Sequence, residues 1–188
     1  MGKEIKTGFI VFLIFTFVSG LLYPLFITGV AQFIFKDKAN GSLIKLNGKV
    51  IGSELIGQKF TGHEYFHGRP SSISYTSSKS GASNLGPTSK KLIKETQKNI
   101  SAIRIENMLE DNVQIPPDLV LSSASGLDPD ISIKSAELQI PRIAKERGIS
   151  EERIHKLISK HSEHRQFWIL GNERVNVLKL NLALDKSL

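Results

Sequence analysis

Between Phe9 and Phe35 the chain carries no Lys, Arg, Asp or Glu, and most residues there are Phe, Ile, Leu, Val or small. As a helix this run is roughly 40 Å long, more than the ~30 Å hydrocarbon core of a bilayer requires, so it can span with tilt to spare. The competing reading is a cleaved leader, because Lys3 and Lys6 make a basic start and Gly29-Val30-Ala31 offers small residues for cleavage. The apolar part of such a leader is about 7–15 residues, and this run is longer. The expectation is therefore a retained single-pass anchor at 9–35, a short tail at 1–8 and one domain at 36–188. Charge orients the anchor poorly, since Lys3 and Lys6 before it are matched by Lys36 and Lys38 after it. The short tail favours a cytoplasmic N-terminus.

The anchor is not a uniform apolar rod. Thr16, Gly20, Pro24 and Thr28 recur every four residues and put small or polar groups in one row. Lipid tails are as apolar as Leu, so helices associate in membranes through close packing at such rows. Pro24 also denies the carbonyl of Gly20 its hydrogen bond, which invites a distortion that a neighbouring helix could stabilise. This face is expected to meet another helix.

After the anchor, Lys36 to Leu188 is long enough for one domain with its own core. The chain has no Cys, which suits an exterior without disulfides and a cytoplasm equally. Its formal charge of +7 raises the question of nucleic acid. The basic residues are scattered among acids without an aromatic-interleaved stripe, so no nucleic-acid partner is expected; a solvated surface or anionic lipid headgroups fit better.

Within the domain, Ser42 to Leu46 and Lys49 to Ile51 flank Asn47-Gly48, a strong hairpin signal because both turn positions need positive φ. Leu55 to Phe66 reads as short strand and loop. Gly68 to Pro87 is rich in Ser, Gly and Pro and reads as a long surface loop. A helix is expected from Pro87 to about Leu109, with Leu92, Ile93, Ile100, Ile103 and Met108 near one stripe, and Pro116-Pro117 stops it. Two shorter helices follow: Ser132 as N-cap to Arg147 with Gly148 as the stop and a kink at Pro141, then one from Ser150 carrying Ile154, Leu157 and Ile158. Val175 to Leu184 alternates like a strand but is composed like a helix, and both remain open. The fold class is α+β: one N-terminal membrane helix followed by one mixed domain.

His63-Glu64-Tyr65-Phe66-His67 matches H-E-x-x-H, the pattern of zinc proteases. It works only on a helix, where positions i and i+4 bring both imidazoles to one metal. Gly62 before it and Gly68-Arg69-Pro70 after it leave barely one turn, and His155, His161 and His164 lie far along the chain. His63, Glu64 and His67 are thus a decoy, and a membrane-anchored zinc hydrolase is only the alternative reading. No nucleophile elbow and no G-x-x-x-x-G-K-[ST] loop occurs.

Taken in order, the motifs carry a resemblance. They are Tyr23-Pro24-Leu25, Thr28-Gly29 and Ala31-Gln32 in the anchor, Ala39 to Leu43, Leu55 to Gln58, Tyr65-Phe66 with Gly68 to Ser71, and Ser80 to Pro87. Pro117-Asp118, Ser123 to Pro129, Ile131-Ser132, Ala136, Gln139, Arg142 and finally Val175 to Leu178, Leu180-Asn181 and Ala183-Leu184 continue them. Over nearly its whole length the chain resembles the C subunit of the Kdp high-affinity potassium-transporting ATPase of bacteria and archaea. His67, Asp130 and Lys179 depart from the residue types usual there.

The resemblance implies an accessory subunit, not itself an enzyme, in the cell membrane with its N-terminus cytoplasmic and its domain extracytoplasmic. Its partners would be a channel-like potassium-translocating subunit and a P-type ATPase subunit. The absence of an Asp-Lys-Thr-Gly phosphorylation motif and of a Gly-Tyr-Gly filter loop agrees with that division of labour. Thr16, Gly20, Tyr23, Pro24, Thr28, Gly29 and Gln32 become the candidate helix-packing residues. The resemblance also carries a catalytic-chaperone role that raises the ATP affinity of the ATPase subunit, with Ser125, Gly126 and Gln139 as the nucleotide-related candidates. No cofactor is expected on this chain itself; ATP would enter through the partner ATPase subunit.

Overall fold

The computed structural model describes residues 2–186. The chain divides into two compact units, one ending at Ile51 and the other starting at Gly52.

The first unit is built on a continuous helical run, Gly2–Ile34. It consists of α1 (Gly2–Phe17), a π-helical turn (Val18–Leu22) and α2 (Tyr23–Ile34). None of its residues is buried, as expected of a helix whose solvent is lipid. The π-turn falls where Pro24 removes a donor, and the Tyr23 N–H bonds back to the Val18 carbonyl. Phe35 leaves helical geometry and starts the single turn α3 (Lys36–Ala39). The hairpin β1 (Leu43–Leu46) and β2 (Lys49–Ser53) follows, with Asn47 at φ 50° and Gly48 at φ 77° as the turn chemistry requires.

The second unit sets helices beside a small antiparallel sheet. Its elements are α4 (Lys90–Glu106), α5 (Pro117–Val120), β3 (Asp130–Ser132), α6 (Ile133–Arg147), α7 (Glu151–His161), β4 (Ser162–Glu163), β5 (Arg174–Asn176) and α8 (Val177–Lys186). The strand order is β3-β5-β4, with Ile131 opposite Val175 and Ser162 also opposite Val175. Central Arg174 ties both edges, its Nε 2.9 Å from Asp130 Oδ2 and its Nη2 2.7 Å from Glu163 Oε2. Burial raises the Asp130 carboxyl pKa, and the nearby Arg174 opposes that shift.

The core joins Ile131 and Val175 of the sheet to Ala136, Ile140 and Ile143 of α6, Ile154 and Ile158 of α7, and Val177, Leu180 and Leu184 of α8. Its largest side chain, Phe66, comes from outside any helix or strand. Helix α6 starts and stops as its sequence requires. Ser132 Oγ accepts from the Ser135 N–H at 3.2 Å, and Gly148 takes φ 65° at the C-terminus. The helix passes through Pro141 because Pro141 and Glu137, whose carbonyl it frees, both lie on the exposed side where water can serve.

Two expectations need correction, and one open reading is resolved. Among the described residues no strand lies between β2 and α4, so Leu55 to Phe66 is turn and loop. Helix α4 is narrower on its inner side than its apolar residues suggest: Leu92, Ile100 and Ile103 are half-buried, whereas Ile93 and Met108 are exposed. Ile93 lies about 100° round from Leu92, and Met108 follows the Asn107 C-cap at φ 53°. The open segment 175–184 divides: Val175 and Asn176 complete strand β5, and the helix runs from Val177. Asn176 makes the change, its Oδ1 accepting from the Lys179 N–H at 3.1 Å as an N-cap does.

Candidate functional site: an anchor face and a clamped loop

In the first unit, Thr16 lies in α1, Gly20 in the π-turn, and Tyr23, Pro24, Thr28, Gly29 and Gln32 in α2. A straight α-helix would swing a four-residue repeat sideways by about 40° per step, or about 120° from residue 16 to residue 28. The π-turn accommodates one extra residue, worth about 100°, and takes back most of that swing. Thr16, Gly20, Pro24 and Thr28 therefore stay close to one line. A methyl placed on Gly20 or on Gly29 would meet nothing within 4 Å, so no internal contact explains either glycine. Gln32 has an internal partner: it exchanges amide hydrogen bonds with Asn40 at 3.2 and 3.3 Å, and Asn40 also donates to the Lys36 carbonyl at 2.7 Å. That pairing fixes the turn at the helix exit.

In the second unit, the loop 62–70 is held by polar side chains rather than by a neighbouring strand. Asn181 of α8 donates from Nδ2 to the Phe66 carbonyl at 3.0 Å and accepts from the Phe66 N–H at 2.8 Å. Gln139 of α6 does the same for the next residue, accepting from the His67 N–H at 2.8 Å and donating to its carbonyl at 3.2 Å. Buried Arg142 donates to the carbonyls of His63 and Tyr65, to Gln139 Oε1 at 2.9 Å and to Asn107 Oδ1 at 3.0 Å. Burial pulls its pKa below the ordinary arginine value, and Glu106 opposes that. Arg147 completes the grip: its Nε reaches the Glu64 carbonyl at 2.7 Å, its Nη2 meets Asp185 at 2.7 Å, and its guanidinium lies over the Tyr65 ring.

This grip accounts for the H-E-x-x-H segment. His63 and Glu64 stand in a turn and His67 in irregular loop, so the histidines are not on successive turns of a helix. His67 Nδ1 is 3.0 Å and His63 Nδ1 3.7 Å from the Glu106 carboxylate, and His67 Nε2 is 3.0 Å from the Gly62 carbonyl. The hydrogen bond from His67 is the main reason the Glu106 carboxyl titrates below its usual range. No cluster of three metal-binding side chains occurs among the described residues.

Ser125 and Gly126 sit in a second knot. The Gly81 N–H bonds to the Ser125 carbonyl at 2.9 Å, and Ser71 Oγ donates to the Gly126 carbonyl at 2.6 Å. Gly126 has φ 69°, and a Cβ there would stand 2.6 Å from Ile73 Cγ1 and 3.0 Å from the Gly81 carbonyl. The two residues thus pin the long Ser-Gly loop. Nearby, Arg69 pairs with Asp128 at 2.9 Å, and burial pushes the Tyr75 hydroxyl above its ordinary pKa.

The N-terminus of α6 is also occupied from within. Asp118 accepts from the Ser132 N–H at 2.7 Å and from Ser135 Oγ at 2.8 Å, so a carboxylate of this chain already lies at the positive end of the helix. Asp118, Glu106, Asn107 and Arg147 carry weight that sequence reading did not assign to them. Gln139, Arg142 and Asn181 stood among the motif residues of the resemblance, and Gln139 among the nucleotide-related candidates, but nothing in the sequence marked them as partners of the 62–70 backbone.

These observations define a class: a single-helix membrane anchor carrying an α+β domain whose buried polar side chains are engaged with its own backbone. The family model described as KdpC, K+-transporting ATPase, c chain, matches residues 5–186. Proteins named potassium-transporting ATPase KdpC subunit are similar over full length. That of Koribacter versatilis is 48% identical over 187 residues, covering 98% of this chain and 95% of its own. That of Rhodopseudomonas palustris strain BisB18 is 48% identical over 201 residues, covering 100% of both chains. The one from Mycobacterium tuberculosis strain H37Ra is 46% identical over 188 residues, covering 99% and 100%. The chain belongs to the KdpC family, the c chain of the K+-transporting ATPase, which makes it a potassium-transport subunit with further Kdp subunits as companions.

Proposed function

We propose that this chain is the accessory subunit that stabilises an ATP-driven, high-affinity potassium importer, its anchor packing against the channel-like translocating subunit and the P-type ATPase subunit. The observation that carries the reading is the straightened row of Thr16, Gly20, Pro24 and Thr28, with glycine space at Gly20 and Gly29 that none of the described residues fills. Small residues in a line allow two helix backbones to approach closely, the main source of attraction between helices in lipid. Tyr23 flanks the same face. Co-purification in mild detergent tests it: the intact chain should retain both partners, and Gly20→Leu should lose them. Unchanged recovery of both partners with Gly20→Leu would remove this face from the assembly.

In this reading the N-terminus is cytoplasmic and the domain lies outside. The absence of Cys makes the test direct, since a single Ser101→Cys on the exposed side of α4 should react with a membrane-impermeant maleimide in intact cells. Protection of that thiol until lysis would invert the topology.

The chaperone role, raising the ATP affinity of the ATPase subunit, is then a coupling through the assembled helices, typically about 1–3 kcal/mol. The geometry supports an indirect effect. Gln139, Ser125 and Gly126 are engaged in internal hydrogen bonds, and Asp118 fills the helix end where a phosphate would sit.

A further inference from the structure

Between β4 and β5 the chain makes a tight excursion whose tip is Phe167-Trp168-Ile169-Leu170. These four consecutive side chains are 82%, 89%, 76% and 55% exposed. A run of apolar side chains this exposed, on one projecting turn, marks an interaction surface. Phe167 and Trp168 take φ of 51° and 67°, which places both aromatic side chains at the apex of the turn.

We propose that this tip inserts into the interfacial region of the lipid bilayer, on the membrane face from which the domain emerges. First, four of the five backbone N–H groups of residues 166–170 are already satisfied. The N–H groups of Gln166, Trp168, Ile169 and Leu170 all bond to carbonyls within the turn, at 2.9 to 3.2 Å. Unpaired backbone polar groups are costly away from water, so this pairing lowers the cost of moving the turn into the headgroup region, where water remains for the other groups. Secondly, the composition fits an interface. Trp and Phe prefer the headgroup boundary, no charge interrupts residues 166–170, and the exposed guanidinium of Arg165 sits just behind the tip, where anionic headgroups would lie. Thirdly, a protein-docking surface ordinarily offers about one hydrogen bond per 100–200 Å², whereas the tip side chains beyond Gln166 offer only the indole N–H. Finally, the second unit is joined through residues 36–51 to the anchor, so the whole domain is tethered to a membrane. At the base, His164 Nδ1 lies 3.0 Å from Glu173 Oε1 and closes the neck of the excursion. The inference requires an anchored chain and does not depend on which subunits the anchor meets.

Trp168 is the only tryptophan of the protein, so its fluorescence reports the tip alone. The full chain reconstituted into mixed phosphatidylcholine and phosphatidylglycerol vesicles should show blue-shifted Trp168 emission, shielded from aqueous iodide and lost when the acyl chains are brominated near the headgroup. Phe167→Ser with Leu170→Ser should move the emission to the red and abolish bromolipid quenching with the circular dichroism spectrum unchanged. If that variant does not fold, the bromolipid measurement on the unaltered chain still decides. Iodide-accessible, unquenched Trp168 in vesicles overturns the proposal. So does a blue shift that needs the partner subunits and resists bromolipid, which would assign the tip to protein instead. Because this readout uses no partner, it can fail while co-purification succeeds, and the reverse.

Discussion

The side-chain amide of Asn181 forms a two-point hydrogen-bonded ring with the backbone of Phe66, donating to its carbonyl at 3.0 Å and accepting from its N–H at 2.8 Å. It stands in for a neighbouring strand, and lets a residue with no regular secondary structure carry the largest side chain of the core. Gln139 repeats the arrangement one residue later.

Asn181→Ala should therefore destabilise the protein by about 2–4 kcal/mol, since it strands two buried backbone groups at about 1–3 kcal/mol each, with some recovery by water. Asn181→Asp keeps the acceptor and loses the donor, so it should also be destabilised. Denaturant midpoints of the full chain in detergent check the series; an Asn181→Ala midpoint equal to that of the parent would show that the ring contributes nothing.

Acid should loosen the grip on loop 62–70. The hydrogen bond from His67 lowers the folded-state pKa of Glu106, so this carboxylate adds stability above its unfolded value of 4.5 and loses it as pH falls through the depressed folded value. Glu106→Gln should cost on the order of 1 kcal/mol at neutral pH, a charge-assisted bond in a partly exposed site. The gap between parent and variant should close as pH falls from 4.5 through the depressed folded value. Parallel melting curves across that range measure it, and a gap that stays constant with pH refutes the assignment.

Two glycines with similar φ should respond differently to alanine. Gly148, at φ 65°, has open space, so Gly148→Ala should lose about 1 kcal/mol from backbone strain alone. Gly126 at φ 69° also faces Ile73 and the Gly81 carbonyl, and Gly126→Ala should lose about 2–4 kcal/mol as the knot opens. Limited proteolysis within residues 72–86 should rise for Gly126→Ala only.

Pro24→Ala restores the donor whose loss accompanies the π-turn, and should let the helix close to regular α geometry. Thr28 would then rotate by about 100° relative to Thr16, and assembly with partner subunits should weaken although no small residue of the row has been enlarged. Co-purification yield together with the amide pattern of the labelled anchor tests it; a weakened complex with an intact π-turn would point to another cause.

The sequence by itself determined what is local. The charge-free run at 9–35 specifies the long exposed helix, Asn47-Gly48 the hairpin turn, and Ser132 and Gly148 the ends of α6, because each follows from neighbouring residues and their own φ, ψ and hydrogen-bonding needs. The leucine alternation at 178–184 left strand and helix open; the buried side repeats at helical spacing through Val177, Leu180, Asn181 and Leu184, and Asn176 is the signal that the strand ends.

Tertiary structure alone decided the rest. It showed that Gln139, Arg142 and Asn181 complete the backbone of residues more than seventy positions away, and so hold the loop that carries His63 and His67. It also showed that Phe167 to Leu170 project instead of packing inward. Pairing over such distances depends on where two helices come to rest, and a side-chain amide in sequence carries no mark of the backbone it will meet.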